Sequence, residues 1–325
     1  MSLLAAAAGV VAGSSALTLL NARRRETAWR HAFPPEGQFI PVEGRRIHAH
    51  VSGRTDAPAV VLIHGANGNL RDFTFDLADR LAGRFRVIAV DRPGMGWSDG
   101  WGEADSDPMV QARVLRQAVA ALGVTRPVVL GHSYGGSVAM GWALQDPQTA
   151  GLVLLAGATH PWQGYGLGAW YAVNATPLGR PARVLAAGLA PRRMIDASLA
   201  AVFAPAPVPI GYAAHFGPGL ALRRQTQAAN TRQVNALLAH VTRMQPRYAA
   251  LCLPIEVLHG DADTVVGIDI HARKLAAEVP SARLTVLAGA GHMPHHSHPD
   301  AVLDAVNRVA ARAGLPGAPD GSERG

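Results

Sequence analysis

A short apolar run that breaks into a glycine-flanked turn constrains this chain more than any other feature. Pro127-Val-Val-Leu130 leads directly into Gly131-His-Ser-Tyr-Gly135-Gly136, after which residues 137–144 have helical character. Consecutive apolar residues without alternation predict a strand covered on both faces, the usual condition in a parallel sheet. A strand that turns sharply into a helix strains the backbone, and only small residues two places either side of the turn avoid a clash. The rhythm recurs. Apolar runs at 59–63, 87–90, 152–155, 255–258 and 283–287 read as further strands, and 69–81, 107–122 and 300–313 as helices. In the second of these helices Asp107 is placed to cap, Pro108 falls in the first turn and Gly123 lies past the end. Residues 38–42 and 46–51, joined at Glu43-Gly44, read as an antiparallel pair ahead of the others. The pattern predicts an α/β fold, a mostly parallel sheet flanked by helices with right-handed crossovers.

One stretch interrupts the alternation. Residues 161–248 show helical patches and no clear strand, too long for a plain loop. They are read as a helical lid inserted before the last two strands. The core then consists of 36–160 and 249–313, preceded by a leader at 1–30 and followed by a loose tail at 314–325. Between Trp162 and Tyr248 nine arginines face a single acid, Asp196, in a chain whose formal charge is +7. An anionic lipid or substrate would fit that excess; solvated arginines covering lid helices fit it as well and are the preferred reading. Lys274 is the sole lysine, so the choice of arginine is chain-wide, and no nucleic-acid motif accompanies it. Cys252 is the only cysteine, which rules out an internal disulfide and a thiolate metal cluster.

Residues 3–20 form an uncharged run followed at once by Arg23, Arg24 and Arg25. About 20 apolar residues are needed to span a bilayer. A secretory signal carries its positive charge ahead of the apolar stretch, whereas here it comes after. The reading is an uncleaved membrane anchor with the catalytic body on the cytoplasmic side. The alternative is a soluble cytoplasmic chain with an amphipathic or disordered leader, and Gly9, Gly13, Ser14 and Ser15 favour it.

The turn residue is Ser133, and a hydroxyl becomes a nucleophile at neutral pH only beside a base that is itself oriented by a third group. Tyr134 N–H, at the helix start, points toward any oxyanion formed there. His292 follows the run at 283–287 in Gly289-Ala-Gly-His-Met-Pro294, in a loop able to reach back over the sheet edge. His295, His296 and His298 are its rivals. They are read as surface histidines ahead of the last helix, because no H-E-x-x-H helix or carboxylate set accompanies them to hold a metal. Leu258-His-Gly-Asp-Ala-Asp263 offers two acids, Asp261 and Asp263. The loop His64-Gly-Ala-Asn-Gly68 stands where a second oxyanion donor is needed, with Ala66 N–H as the candidate and His64 as a structural residue holding the loop.

These residues resemble the α/β-hydrolase superfamily, in particular the lid-bearing branch shared by esterases, lactonases, epoxide hydrolases and cofactor-free perhydrolases. The resemblance covers residues 38–313. It rests on His64-Gly65, Asp91-Arg-Pro-Gly-Met-Gly-Trp-Ser98, Gly131-His-Ser-Tyr-Gly135, Gly260-Asp-Ala-Asp263 and Gly291-His292. In that family the acid stands three places after the strand-end glycine, which implies Asp263 and leaves Asp261 in the loop. The order Ser, Asp, His also matches. Asp91 is implied to be structural, within a loop that shapes the wall near the site. The chain departs from epoxide hydrolases and haloalkane dehalogenases, whose elbow nucleophile is an aspartate.

The expected reaction is acyl transfer to water, on a small, apolar, ester-like substrate, with no metal or organic cofactor. A carboxylic-ester or lactone hydrolase is the first reading. The same three side chains used on a carbon–carbon bond or for perhydrolysis is the second, and a non-catalytic binding protein on the same scaffold is the third. Trp162, Tyr165, Trp170, Tyr171, Phe203, Tyr212 and Phe216 suggest an apolar acyl or aromatic pocket, although aromatic residues more often just pack lid helices.

Overall fold

A computed structural model of the chain describes residues 3–163 and 168–316, with the side chains of 3–14 left out. Tyr165 and the tail from 317 onward lie outside the described residues. Eight strands form one sheet: β1 (Gln38–Val42), β2 (Arg45–Ser52), β3 (Ala59–Ile63), β4 (Arg86–Val90), β5 (Val128–His132), β6 (Gly151–Leu155), β7 (Ile255–Gly260) and β8 (Ala282–Leu287). Their order is β1-β2-β4-β3-β5-β6-β7-β8. β1 and β2 pair antiparallel, β2 meets β4 antiparallel, and every later neighbour is parallel. The sheet predicted from the apolar runs is the one observed.

The unbroken runs follow from burial on both faces. In β3, Val61 and Ile63 face one apolar cluster with the helices Pro108–Ala121 and Tyr134–Ala143. Val60 and Leu62 face the other cluster, with Leu77–Ala82 and Pro299–Arg312. Asp107 caps as expected, its carboxylate accepting Met109 N–H at 2.8 Å. The single helix expected over 69–81 is instead two, Arg71–Thr74 and Leu77–Ala82, because Asp76 leaves the helical region at φ −155°.

Between β6 and β7 the described residues hold helices and no strand, from Ala169–Asn174 through Arg224–Met244. This segment meets the core above the carboxyl ends of the parallel strands. Asn230 Oδ1 accepts Asn67 N–H at 2.8 Å, Asn69 Nδ2 donates to Phe216 O at 3.1 Å, and Gln233 Nε2 donates to Pro93 O at 2.8 Å. Its arginines are not all solvated. Arg223 is buried, Arg224 pairs with Glu26 at 2.9 Å, and Arg232 reaches the buried Asp105 at 2.7 Å.

The amino-terminal anchor is overturned. No helix of the described residues is long and apolar enough to cross a membrane. The helix that begins at Leu3 runs to Ala32, well past the apolar run, and takes in Arg23, Arg24, Arg25, Glu26 and Arg30. Glycines and serines dilute its first half. Its second half docks on protein: Asn21 Nδ2 donates to Gly188 O at 2.6 Å, Arg25 Nη2 to Ala190 O at 2.8 Å, and Ala22 is fully buried.

Candidate active site

β5 ends at His132, and Ser133 turns the chain with φ 53° and ψ −118° into the helix Tyr134–Ala143. The turn is closed by three main-chain bonds. Ser133 N–H donates to Leu155 O at 2.9 Å, while Ser133 O accepts from Gly136 N–H at 2.9 Å and Ala158 N–H at 3.1 Å. The glycine spacing has a direct cause. A Cβ on Gly131 would overlap the Gly135 carbonyl, and one on Gly135 would overlap the Ile63 carbonyl of β3. Ser133 is buried at 9% exposure, and its Oγ makes no hydrogen bond to a described residue.

The loop after β3 abuts this turn, since a Cβ on Gly65 would lie 3.0 Å from Ser133 Cβ. Asn67 N–H is taken by Asn230 Oδ1. Ala66 N–H and Tyr134 N–H donate to no acceptor among the described residues. His64 is fully buried, donating from Nδ1 to Gly65 O at 2.9 Å and accepting Arg92 N–H on Nε2 at 3.1 Å, which ties this loop to the loop after β4. Asp91 pins the same pair of loops, accepting Leu70 N–H and Trp97 N–H at 2.7 Å each.

His292 and Asp263 meet. Nδ1 of His292 lies 2.8 Å from Asp263 Oδ2, and both side chains are at most 5% exposed. Asp263 Oδ1 accepts Val265 N–H at 2.8 Å and Val266 N–H at 3.0 Å, and His259 Nε2 lies 3.2 Å from Oδ2. Burial alone would raise this carboxyl, but the neighbouring His259 and His292 imidazoles outweigh it and hold it well below the usual carboxylate range. The carboxylate thus keeps the proton of His292 on Nδ1 and leaves Nε2 as an acceptor. Asp261 does other work, accepting Gly289 N–H at 2.7 Å.

Five side chains that the motifs did not reveal stand beside these. His132 donates from Nε2 to the His292 carbonyl at 2.9 Å, and the two rings are 4.9 Å apart. His295 and His296, expected on the surface, turn inward: their Nε2 atoms lie 3.1 and 2.9 Å from the buried Asp72. Tyr212 OH donates to Asp72 at 2.8 Å. Burial pushes the imidazoles of His132 and His295 below their ordinary values. Asp72 is driven well below the carboxylate range, because His295 and His296 overcome the opposing effect of burial.

The ligand atoms of Asp72, His295 and His296 lie within 4.8 Å of one another, close enough to hold a metal ion. A ligating imidazole normally donates its second ring N–H to an acceptor, and His295 Nδ1 is buried with no partner. The donor set fits a hydrogen-bonded carboxylate better than a metal centre. Phe203, Tyr212, Phe216 and Met293 pack on one another, Tyr212 stacking on Phe216 at 5.2 Å. An open groove of about 760 Å³, lined by Arg45, Asp99 and Arg232 among others, includes none of Ser133, Asp263 and His292.

With this geometry in view, the chain belongs to the alpha/beta hydrolase family, whose sequence profile its residues 60–305 match. An uncharacterised protein of Mycobacterium tuberculosis is 29% identical over 289 residues, 86% of this chain and 82% of that protein. A 2-hydroxy-6-oxononadienedioate/2-hydroxy-6-oxononatrienedioate hydrolase of Cupriavidus pinatubonensis is 36% identical over 118 residues, 35% of this chain and 40% of that protein. Among solved structures, the esterase RhEst1 from Rhodococcus sp. ECU1013 superposes with a TM-score of 0.63 at 25% identity, covering 84% of this chain and 98% of that one. The 2-hydroxy-6-oxo-6-phenylhexa-2,4-dienoate hydrolase of Rhodococcus sp. strain RHA1 shares the fold, with a TM-score of 0.69 at 21% identity over 84% of this chain and 97% of that one.

Proposed function

We propose that this chain is a serine hydrolase that cleaves a carboxylic ester or lactone through an acyl-enzyme on Ser133. The observation that carries the reading is the bond from His292 Nδ1 to a buried, ionised Asp263, on an imidazole that packs against the residue preceding Ser133. Ser133 Oγ attacks the carbonyl as His292 Nε2 takes its proton, and Asp263 stabilises the imidazolium. Ala66 N–H and Tyr134 N–H receive the oxyanion, their donors being free of protein acceptors. Collapse expels the alcohol with the proton held on His292. Water, deprotonated by the same ring, then attacks the acyl carbon and regenerates the Ser133 hydroxyl. No step calls on a metal or an organic cofactor.

Residues 161–248 serve as a lid over a core formed by 36–160 and 249–313, and their aromatic side chains suit an apolar acyl group. Similarity to the RhEst1 esterase over most of both chains supports the ester reading. Similarity to the Cupriavidus hydrolase supports a second reading, in which the same side chains cleave a carbon–carbon bond next to a carbonyl. Turnover of p-nitrophenyl butyrate should fall by roughly three orders of magnitude or more in Ser133→Ala, with background catalysis remaining. Undiminished turnover in that variant defeats the proposal. A panel of esters, lactones and vinylogous diketones separates the two chemistries, and absence of fluorophosphonate labelling at Ser133 would point to a binding protein instead.

A further inference from the structure

One buried carboxylate joins the segments on which that reaction would depend. Asp72 sits in the helix Arg71–Thr74, just past the loop that carries Ala66, and is 3% exposed. Its Oδ1 accepts from Tyr212 OH at 2.8 Å and His296 Nε2–H at 2.9 Å, and its Oδ2 from His295 Nε2–H at 3.1 Å. His132 Nδ1 lies 4.0 Å from the same Oδ2. The partners come from three different parts of the molecule. Tyr212 opens the helix Tyr212–Phe216 of the inserted segment. His295 and His296 lie in the turn that follows His292, and His132 precedes Ser133.

The contacts close a loop. His132 donates to the His292 carbonyl at 2.9 Å, and its ring is 4.9 Å from that of His292 and 4.7 Å from that of His295. Among the described residues the ionised carboxylate has no lysine or arginine within ion-pairing distance; imidazole N–H groups and a phenol offset its charge. In so buried a setting, loss of one acceptor oxygen leaves a buried donor unpaired.

We propose that Asp72 is a positioning residue, which locks the loop bearing His292 against the Ser133 turn and makes that register depend on docking of Tyr212. The proposal rests on the serine-hydrolase reading given above. Asp72 touches no reacting atom in it. Its effect is on how often Nε2 of His292 faces the Ser133 hydroxyl, a geometric requirement to which rates are steeply sensitive.

The test uses the full chain and three variants: Ser133→Ala, Asp72→Asn and Tyr212→Phe. Asp72→Asn keeps the shape and should lower kcat for p-nitrophenyl butyrate about tenfold or more with KM within about twofold, and slow fluorophosphonate labelling of Ser133 by the same factor. Tyr212→Phe leaves the carboxylate in place and should lower kcat about threefold at unchanged KM. Wild-type kcat in both variants, a change confined to KM, or a loss that only tracks the fraction unfolded by circular dichroism overturns the proposal. If Asp72→Asn does not fold, Tyr212→Phe decides alone by the same criterion. Failure of the underlying chemistry is distinct, since it shows as an active Ser133→Ala or an unlabelled wild type.

Discussion

Acidification should cost this fold stability through His64, and the way the ring is held sets the amount. His64 is fully buried, its Nδ1 proton on the Gly65 carbonyl and its Nε2 lone pair on the Arg92 N–H. A second proton can enter only by breaking the Arg92 bond. Burial first, and the Arg92 guanidinium second, lower this imidazole from 6.5 to about 4. In the unfolded chain the ring titrates near its ordinary value, about 6.5. Between those two values the unfolded state binds more protons than the folded one. Stability from this group is therefore complete above about pH 6.5 and declines as pH falls, levelling off below about pH 4. Linkage puts the loss at about 2 kcal/mol by about pH 5 and about 3 kcal/mol by about pH 4. Burial also lowers His271, to about 3, as it does His132 and His295, and these steepen the wild-type curve. The measurement is therefore a difference: urea unfolding of wild type and His64→Asn, whose amide does not titrate and can keep the bond to the Gly65 carbonyl, from about pH 7 to about pH 5. The gap between the two proteins should change by about 2 kcal/mol in favour of the variant as the medium is acidified. Asp72, Asp91 and Asp263 are held below the carboxylate range, so their contribution persists above about pH 4 and is lost only at lower pH, outside this window. A gap that stays flat would refute a neutral, dehydrated His64.

Three further outcomes follow from single contacts. Asp263→Asn cannot hold the His292 proton on Nδ1, so kcat for an activated ester should fall by roughly 10³- to 10⁴-fold with little change in KM, and a loss under about tenfold would contradict its role. Gly135→Ala sets a methyl against the Ile63 and His64 carbonyls of a central strand; unfolding should show a loss of about 3 kcal/mol or more, or no folded protein, and a stable, active variant would mean that the helix can shift. Arg92→Met removes a buried guanidinium that donates to Gln111 and Gln233 side chains and to the His64 and Gly65 carbonyls. A cost of about 3–5 kcal/mol in urea unfolding is expected, and one below about 1 kcal/mol would show that water replaces it.

The strands were readable because burial on both faces leaves an apolar signature independent of tertiary detail: every residue of β3, β5 and β6 is buried. The turn at Ser133 was readable because two glycines are demanded by carbonyls that pass within overlap distance. Asp72 and its histidines were not. They lie more than 220 residues apart along the chain, and nothing in Arg71-Asp-Phe-Thr74 distinguishes a buried carboxylate from an exposed one. The one available hint was the crowding of His295 and His296 behind His292, which composition assigns equally well to a surface. His132 occupies the variable second place of the motif, where any residue is allowed, so its bond to the His292 carbonyl left no trace.

Charge and hydropathy misled for a shared reason: both were counted over one contiguous segment, whereas pairing is settled between segments. The arginine excess of the inserted helices looks like an unpaired basic surface until Arg224 is placed on Glu26 of the first helix and Arg232 on Asp105 of the loop after β4. The amino-terminal run looks like a bilayer span until Asn21 and Arg25 are seen capping carbonyls at the end of the helix Gly179–Leu189. A helix that docks on protein and one that spans lipid both need an apolar side; only the second must be apolar all the way round for about 20 residues. Glu26 and Arg30, which the same helix carries past the run of residues 3–20, belong to its docked half as partners for Arg224 and the Trp97 ring.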